Sequence, residues 1–268
     1  MPDGALTRLH TSTLVAICNS KCSVGDGEEN RHLAESRTKL GVTTRPRLHR
    51  RERATSANAI YRDLQQQIVK MSLKPGTALG EQMLADQYGV SRTPVREAVI
   101  RLSEERLVDV LPQQGTFVSR LDLALIPEAV VIRQALEGAT VQEAARIGTA
   151  GDIEVLDDII AEQTRYRDRS HVDRFMASDE AFHEAIAAMA KLRGVWSYLR
   201  PAKIHIDRAR WLTVPFLGAT QALAEHKIIR DAIAAHDPAA ALGAMRTHLQ
   251  AVLPDISSLQ SQFPDYFV

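Results

Sequence analysis

The chain is predicted to be mainly α: a winged helix-turn-helix in its first half, followed by an all-α antiparallel bundle of about six helices. Three observations predict this. Glu81 to Ala98 has the spacing of a helix, a Gly-containing turn and a second helix. Asp109 to Val118 is punctuated like a β-hairpin. From Leu125 onward, amphipathic stretches follow one another, rich in alanine and without the apolar alternation of strands.

The first element is a helix in which Ile60, Leu64, Ile68, Val69 and Met71 keep helical spacing until Lys74-Pro75-Gly76 stops it. The polar amphipathic run Glu81 to Tyr88 makes a second helix, and Gly89-Val90 breaks it. Ser91 is placed to cap a third, and Pro94 sits in its first turn, where a missing N–H costs nothing. Arg92 and Arg96 stand four apart and share a face. Two guanidiniums at that end of a groove-bound helix suit guanine edges or phosphates, although a solvated helix face carries the same pair. Behind them Val95, Val99, Leu102, Leu107 and Val108 form an apolar stripe, and Pro112 to Gly115 turns between two short strands. Helix, helix-turn-helix and wing occupy residues 57–120.

The bundle follows over residues 121–260, with helices expected at 126–148, 151–169, 171–190, 192–213, 219–235 and 238–260. Gly148-Gly151, Lys191-Arg193, Val214-Pro215 and Asp237-Pro238 supply the breaks. Residues 261–268 read as a short tail. Residues 1–56 show no sustained period and end in the basic run Arg45 to Arg53, so they read as a disordered or poorly ordered tail. That stretch is either an arm brushing phosphates or sequence upstream of the true start. Cys18 and Cys22 lie in it without the second pair or flanking His of a zinc site, and read as free thiols.

The formal charge is zero, with 33 basic and 33 acidic residues, but it is unevenly spread. Residues 1–56 carry +4, residues 57–120 carry +1 and residues 121–268 carry −5. Affinity for a duplex must then come from a few placed arginines and from dimerisation rather than from a strong overall field. No run reaches the length of a membrane span and the N-terminal stretch lacks the pattern of a secretion signal, so a cytoplasmic protein without membrane contact is expected.

Within the bundle, polar groups recur on apolar faces. Asp179 and His183 are four apart beside Phe175, Met176 and Ile186; His226 neighbours Leu223, Ile229 and Ile233; His248 neighbours Met245, Leu249 and Val252. Three imidazoles and a carboxylate in one core are expensive unless hydrogen-bonded or bound to a cation. Bundles build metal sites from facing helices, and three nitrogens with one oxygen suit Zn²⁺, Ni²⁺, Mn²⁺ or Fe²⁺. Spacing alone leaves both readings open.

Residues 57–120 resemble the DNA-binding domain of the GntR family of bacterial transcription regulators. The matching stretches are Leu73-Lys74-Pro75-Gly76, Ser91-Arg92-Thr93-Pro94-Val95-Arg96-Glu97-Ala98 and Gly115-Thr116-Phe117-Val118. The resemblance implies DNA contact by Ser91, Arg92, Thr93 and Arg96, with Gly115 at the wing tip near the minor groove. There are two departures. Gln82 stands where the fatty-acid-responsive members place a DNA-contacting arginine, and Arg106 replaces the glycine usual before Leu107-Val108.

Residues 121–255 resemble the FCD domain, the ligand-binding half of the FadR branch, and in helix number its VanR-like group. The match runs through Arg133-x-x-Leu136-Glu137, Asp179-x-x-Phe182-His183, Glu225-His226-x-x-Ile229 and Met245-Arg246-x-His248-Leu249. Members with this pattern hold a divalent metal, which implies Asp179, His183, His226 and His248 as its ligands here. Acyl-CoA-binding members lack the set. Arg133 matches the family's pocket arginine, implying a small organic acid as effector, with His205, Arg208 and Arg210 as further candidates. Leu192 departs from the asparagine usual after the second ligand helix.

The functional expectation is a homodimeric, effector-responsive repressor reading a palindromic operator in double-stranded DNA, the dimer being implied by the resemblance. Two alternatives are a regulator for which the ion itself is the signal, and a metallohydrolase. Against the latter, Glu180 and Glu225 adjoin ligands at i+1, about 100° away around the helix, too far to serve a metal-bound water. Enzymatic activity is not expected.

Overall fold

Ile60, Leu64, Ile68, Val95, Val99, Leu102 and Leu107, the apolar positions of the first three predicted helices, are buried against one another. The computed structural model describes residues 48–217, 219–251 and 260–268, and this cluster is the core of its N-terminal head. Helix α1 (Leu48–Val69) begins inside the stretch read as a tail. Met71 takes φ 59° just beyond its end. Helix α2 (Glu81–Tyr88) closes on Gly89 at φ 63°, and α3 (Arg92–Glu104) starts at once after the short turn. Ser91 is at the N-cap position with extended backbone, but its hydroxyl makes no capping hydrogen bond. Strands β1 (Val108–Leu111) and β2 (Gly115–Val118) pair antiparallel, from Val108 opposite Val118 to Leu111 opposite Gly115. The segment before α2 joins their open edge through Leu79 N–H to the Thr116 carbonyl at 2.8 Å.

The body contains α4 (Leu125–Ile147), α5 (Ala150–Arg165), α6 (Val172–Met189), α7 (Val195–Leu217), α8 (Ala219–Ala234) and α9 (Pro238–Ala251). Four boundaries differ from the sequence reading. The second stretch stops at Arg165 and yields to a 3₁₀ turn (Arg169–His171), because the Asp168 carboxylate takes the Ser170 N–H at 2.9 Å. The fourth starts at Val195, since Leu192 N–H folds back on the Ala187 carbonyl at 2.9 Å, and it runs through the expected Val214-Pro215 break to Leu217, the proline costing only one backbone hydrogen bond near the helix end. The last closes at Ala251; residues 252–259 lie outside the described residues, and 260–262 are helical again. Val141, Leu156, Phe182, Ile186, Ile229, Ile233, Met245 and Leu249 fill the body core. Helix α4 packs against α9 so closely at Gly138 that a Cβ there would lie 2.9 Å from Leu242 Cδ1.

Head and body meet along α7. Ile204 of α7 is part of the head core, and the Arg208 guanidinium donates to the Ser119 carbonyl at 2.7 Å. The expected tail 261–268 is in fact docked on this junction. Leu121 N–H donates to Tyr266 (2.8 Å), Val268 N–H to Leu121 (3.2 Å), and Phe267 is buried with Leu121, Ile126, Ile206 and Leu212. Among the described residues, no helix is long and apolar enough to cross a membrane. The Cys18–Cys22 pair and the basic run before Leu48 lie outside the described residues.

Candidate metal centre and nucleic-acid interface

Ser91, Arg92, Thr93 and Arg96 are all exposed at the start of α3, and Gly115 is exposed on the wing with φ 123°. Burial of Pro94, Val95 and Ala98 on the opposite face of α3 turns the polar set outward. The two arginines are not loose. Glu81, in the first turn of α2, accepts from Arg92 Nη2 at 2.9 Å through one oxygen and from Arg96 Nε at 3.1 Å through the other. Burial is the largest single influence and pushes the Glu81 carboxyl up, but the two cations together outweigh it and hold the carboxyl below its ordinary range. Gln82 points elsewhere, donating to Asp86 at 2.9 Å.

In the body, Asp179 and His183 on α6, His226 on α8 and His248 on α9 are all buried and offer one ligand atom each within 4.8 Å of one another. The imidazole Nε2 atoms converge. His226 and His183 each lie 3.3 Å from His248 Nε2, and Asp179 Oδ1 lies 3.7 Å from His226 Nε2. The other ring nitrogens each face an acceptor. His226 Nδ1 is 2.9 Å from Gln163 Oε1, His248 Nδ1 is 2.8 Å from Glu225 Oε2, and His183 Nδ1 is 2.7 Å from Glu137 Oε2, the last close but bent off the ring N–H axis.

The acceptors on His226 and His248 favour the proton of each neutral ring on Nδ1, so that their Nε2 lone pairs, with His183 Nε2 and the Asp179 carboxylate, are aimed at one point. Burial pushes His226 well below the usual imidazole range and His248 below it too, so neutral rings are favoured. Asp179 is held well below the carboxylate range. Burial alone would raise it, but Arg210 donates to both its oxygens, at 2.6 and 2.9 Å. A cluster with the outer nitrogens of His226 and His248 hydrogen-bonded, and that of His183 beside Glu137, has the donor set that a divalent cation takes. On the chemistry of these donors, the residues fit such an ion.

Residues 56–118 match the bacterial regulatory proteins of the gntR family, and residues 128–251 match the FCD domain. An HTH-type transcriptional regulator in an unstable DNA locus of Streptomyces ambofaciens is 38% identical over 215 residues, covering 80% of this chain and 90% of that protein. The HTH-type transcriptional repressor RspR of Escherichia coli (strain K12) is 31% identical over 209 residues, covering 78% and 92%. The chain belongs to the GntR family. It is a DNA-binding transcription regulator with an FCD domain, and not an enzyme. Two solved structures share the fold: E. coli McbR/YncC (TM-score 0.64, 21% identity, 78% of this chain and 98% of that one) and a transcriptional regulator GntR from Rhodococcus sp. RHA1 (TM-score 0.59, 24% identity, 80% and 100%).

The remaining candidates in this GntR regulator fall in different places. Arg133 of α4 is buried; its Nε and Nη2 contact Glu137 at 2.5 and 3.3 Å, while its Nη1 has no partner. Glu137 thereby joins Arg133 to His183. Arg210 belongs to the centre through Asp179, whereas Arg208 turns to the head–body junction and His205 lines a small cleft with Glu104, Leu125 and Pro201. Arg106 is exposed at φ 55° and makes a chain turn, its N–H bonding Ser103 O at 3.0 Å. Glu180 is directed to Lys203 and Trp196, and Glu225 to His248, as their helical phase requires. Sequence reasoning missed Gln163 and Glu81. Gln163 is a polar residue in an apolar phase of α5, a signal as good as the one that marked the histidines; nothing local marked Glu81 as a partner of residues 11 and 15 positions away.

Proposed function

We propose that this regulator is a homodimeric repressor whose FCD body holds a divalent metal and a small carboxylate effector. The observation that carries the reading is the cluster of three inward Nε2 atoms, each ring backed by an acceptor on Nδ1. Asp179, His183, His226 and His248 would hold the ion, which when bound supplies positive charge for an anionic ligand. Arg133 is the second anchor. It is a fully buried guanidinium with one nitrogen left over by Glu137, a donor suited to a carboxylate oxygen.

The head would read each half of a palindromic site with Ser91, Arg92, Thr93 and Arg96 in the major groove and Gly115 near the minor groove. Two-fold DNA symmetry calls for a second copy. The outward face of α4 suits it, with Val131 66% and Ile132 41% exposed. Helix α7 supports coupling between the two functions, because Arg210 binds a candidate ligand while Arg208 and Ile204 contact the head. Effector occupancy would shift the population of heads spaced for the operator.

A second reading, in which the ion is the signal, is favoured by one observation. Arg210 donates to both oxygens of Asp179, so an ion must compete with a guanidinium for that carboxylate. Elemental and small-molecule mass analysis of purified protein, before and after exhaustive dialysis, tests both. Retained metal with a co-purifying organic acid supports the effector reading. Metal lost on dialysis, with operator affinity changing as Zn²⁺, Ni²⁺, Mn²⁺ or Fe²⁺ is restored, supports sensing. A chain that takes up none of these ions would sink both.

A further inference from the structure

One carboxylate holds both recognition arginines. Glu81 spans them like a bracket, Oε2 on Arg92 Nη2 and Oε1 on Arg96 Nε. Its own side chain is only 19% exposed, while those of Arg92 and Arg96 are 59% and 66% exposed. The anchor is therefore fixed, at the dipole-favoured start of α2, and the cations it holds project outward. Gripping Arg96 at Nε leaves both of its terminal nitrogens without an intramolecular partner among the described residues. That fork, of fixed plane, is what bidentate contact with guanine O6 and N7 requires.

We propose that Glu81 is the specificity-determining residue of the head: it sets the plane of the Arg96 fork for a base edge and subtracts charge from the surface that meets phosphates. The proposal rests on the reading of Arg92 and Arg96 as DNA contacts. Two effects follow from the geometry. The bracket pre-pays the ordering of two flexible side chains, which favours the one duplex whose bases match the fork. A fixed anion beside two cations also weakens the attraction common to every sequence, which depends on how many phosphates the basic groups neutralise. Residues 57–120 carry only +1, so a single carboxylate is a large share of that balance. The first effect raises the ratio of specific to non-specific binding; the second lowers the affinity for every duplex and flattens its salt dependence. A carboxylate that served only to start α2 would alter neither.

The test uses the full chain, a duplex recovered from a random pool by the wild-type protein, and a shuffled duplex of the same composition, with affinity followed by fluorescence anisotropy across a salt series. Glu81→Gln keeps the shape and loses the charge. Its affinity for the shuffled duplex is expected to rise several-fold, with a steeper salt dependence, by roughly one phosphate equivalent. The specific-to-shuffled ratio is expected to fall at least fivefold, on the order of one lost base contact. Glu81→Asp keeps the charge but shortens the reach, and should lower the ratio without raising affinity for the shuffled duplex. An unchanged ratio in both variants overturns the proposal, as does an equal loss on both duplexes that tracks a lower thermal midpoint. The double variant Arg92→Ala/Arg96→Ala separates the underlying reading. If it still selects the recovered duplex like wild type, the arginines are not the DNA contacts, whatever Glu81 does.

Discussion

Arg106 and Gln163 show how single residues carry consequences that their neighbours in sequence do not reveal. Arg106 sits at φ 55°, in the left-handed region, where Leu107 N–H reaches back to Leu102 O at 2.9 Å and ends α3. A side chain there costs about 1–2 kcal/mol relative to glycine, partly offset by the ~0.5–1 kcal/mol that glycine loses in chain entropy. Arg106→Gly should therefore raise unfolding stability by roughly 0.5–1 kcal/mol, read as a higher urea midpoint at unchanged slope; a lower midpoint would mean that the guanidinium makes a contact worth more than the strain. Gln163 fixes His226 from behind at 2.9 Å and also donates to Ser178 O at 3.2 Å. Removing such an outer partner weakens metal binding roughly 10–100-fold. Gln163→Leu should show that loss in a chelator-competition titration with Zn²⁺, and Gln163→Glu, which keeps an acceptor, should show less. Equal affinities in all three proteins would refute the assignment of the His226 proton to Nδ1.

Among the elements, α5 has the most explicit start. Thr149 accepts from Asp152 N–H, and Asp152 Oδ2 accepts from Thr149 N–H at 2.9 Å and its hydroxyl at 2.7 Å, a reciprocal capping box. Thr149→Ala should destabilise the chain by about 1 kcal/mol. The hydrogen bonds from Thr149 also lower the Asp152 carboxyl below its ordinary 3.8. A carboxyl depressed in the folded state contributes stability above its unfolded pKa and loses it as pH falls through the folded one. The gap between wild type and Thr149→Ala should be full at neutral pH and should shrink below about pH 4, measured by urea unfolding across that range. A gap that widens on acidification would contradict the box as its source.

At the scale of the whole molecule, the four candidate ligands come from α6, α8 and α9, and their outer partners from α4, α5, α7 and α8. An ion there would tie most of the body together, and binding only to the folded chain must stabilise it. At a free ion concentration 100 times the dissociation constant the gain is about 2.7 kcal/mol, a thermal midpoint shift of several degrees for a chain of this size. Wild type should show that shift on adding Zn²⁺ or Ni²⁺ and lose it with a chelator, and His226→Ala should show none. An equal shift in the variant would place the ion elsewhere.

The head was legible from sequence because its information is local. Helical spacing from Ile60, the Gly89 break, the Ser91 to Ala98 run and the hairpin punctuation each lie within one turn or one strand pair of the residues they position. The buried Asp179, His183, His226 and His248 were legible for the same reason, as polar groups in apolar helical phase. What lies between elements was not. The Glu81 bracket, the backing of His226 by Gln163, the split of Arg208 and Arg210 between junction and centre, and the docking of Phe267 on Leu121 all join residues 11 to 146 positions apart. A sequence fixes which groups must be buried, since hydrophobic periodicity acts over a few residues. Only the packed fold decides which buried group meets which, because that depends on how whole helices are set against one another.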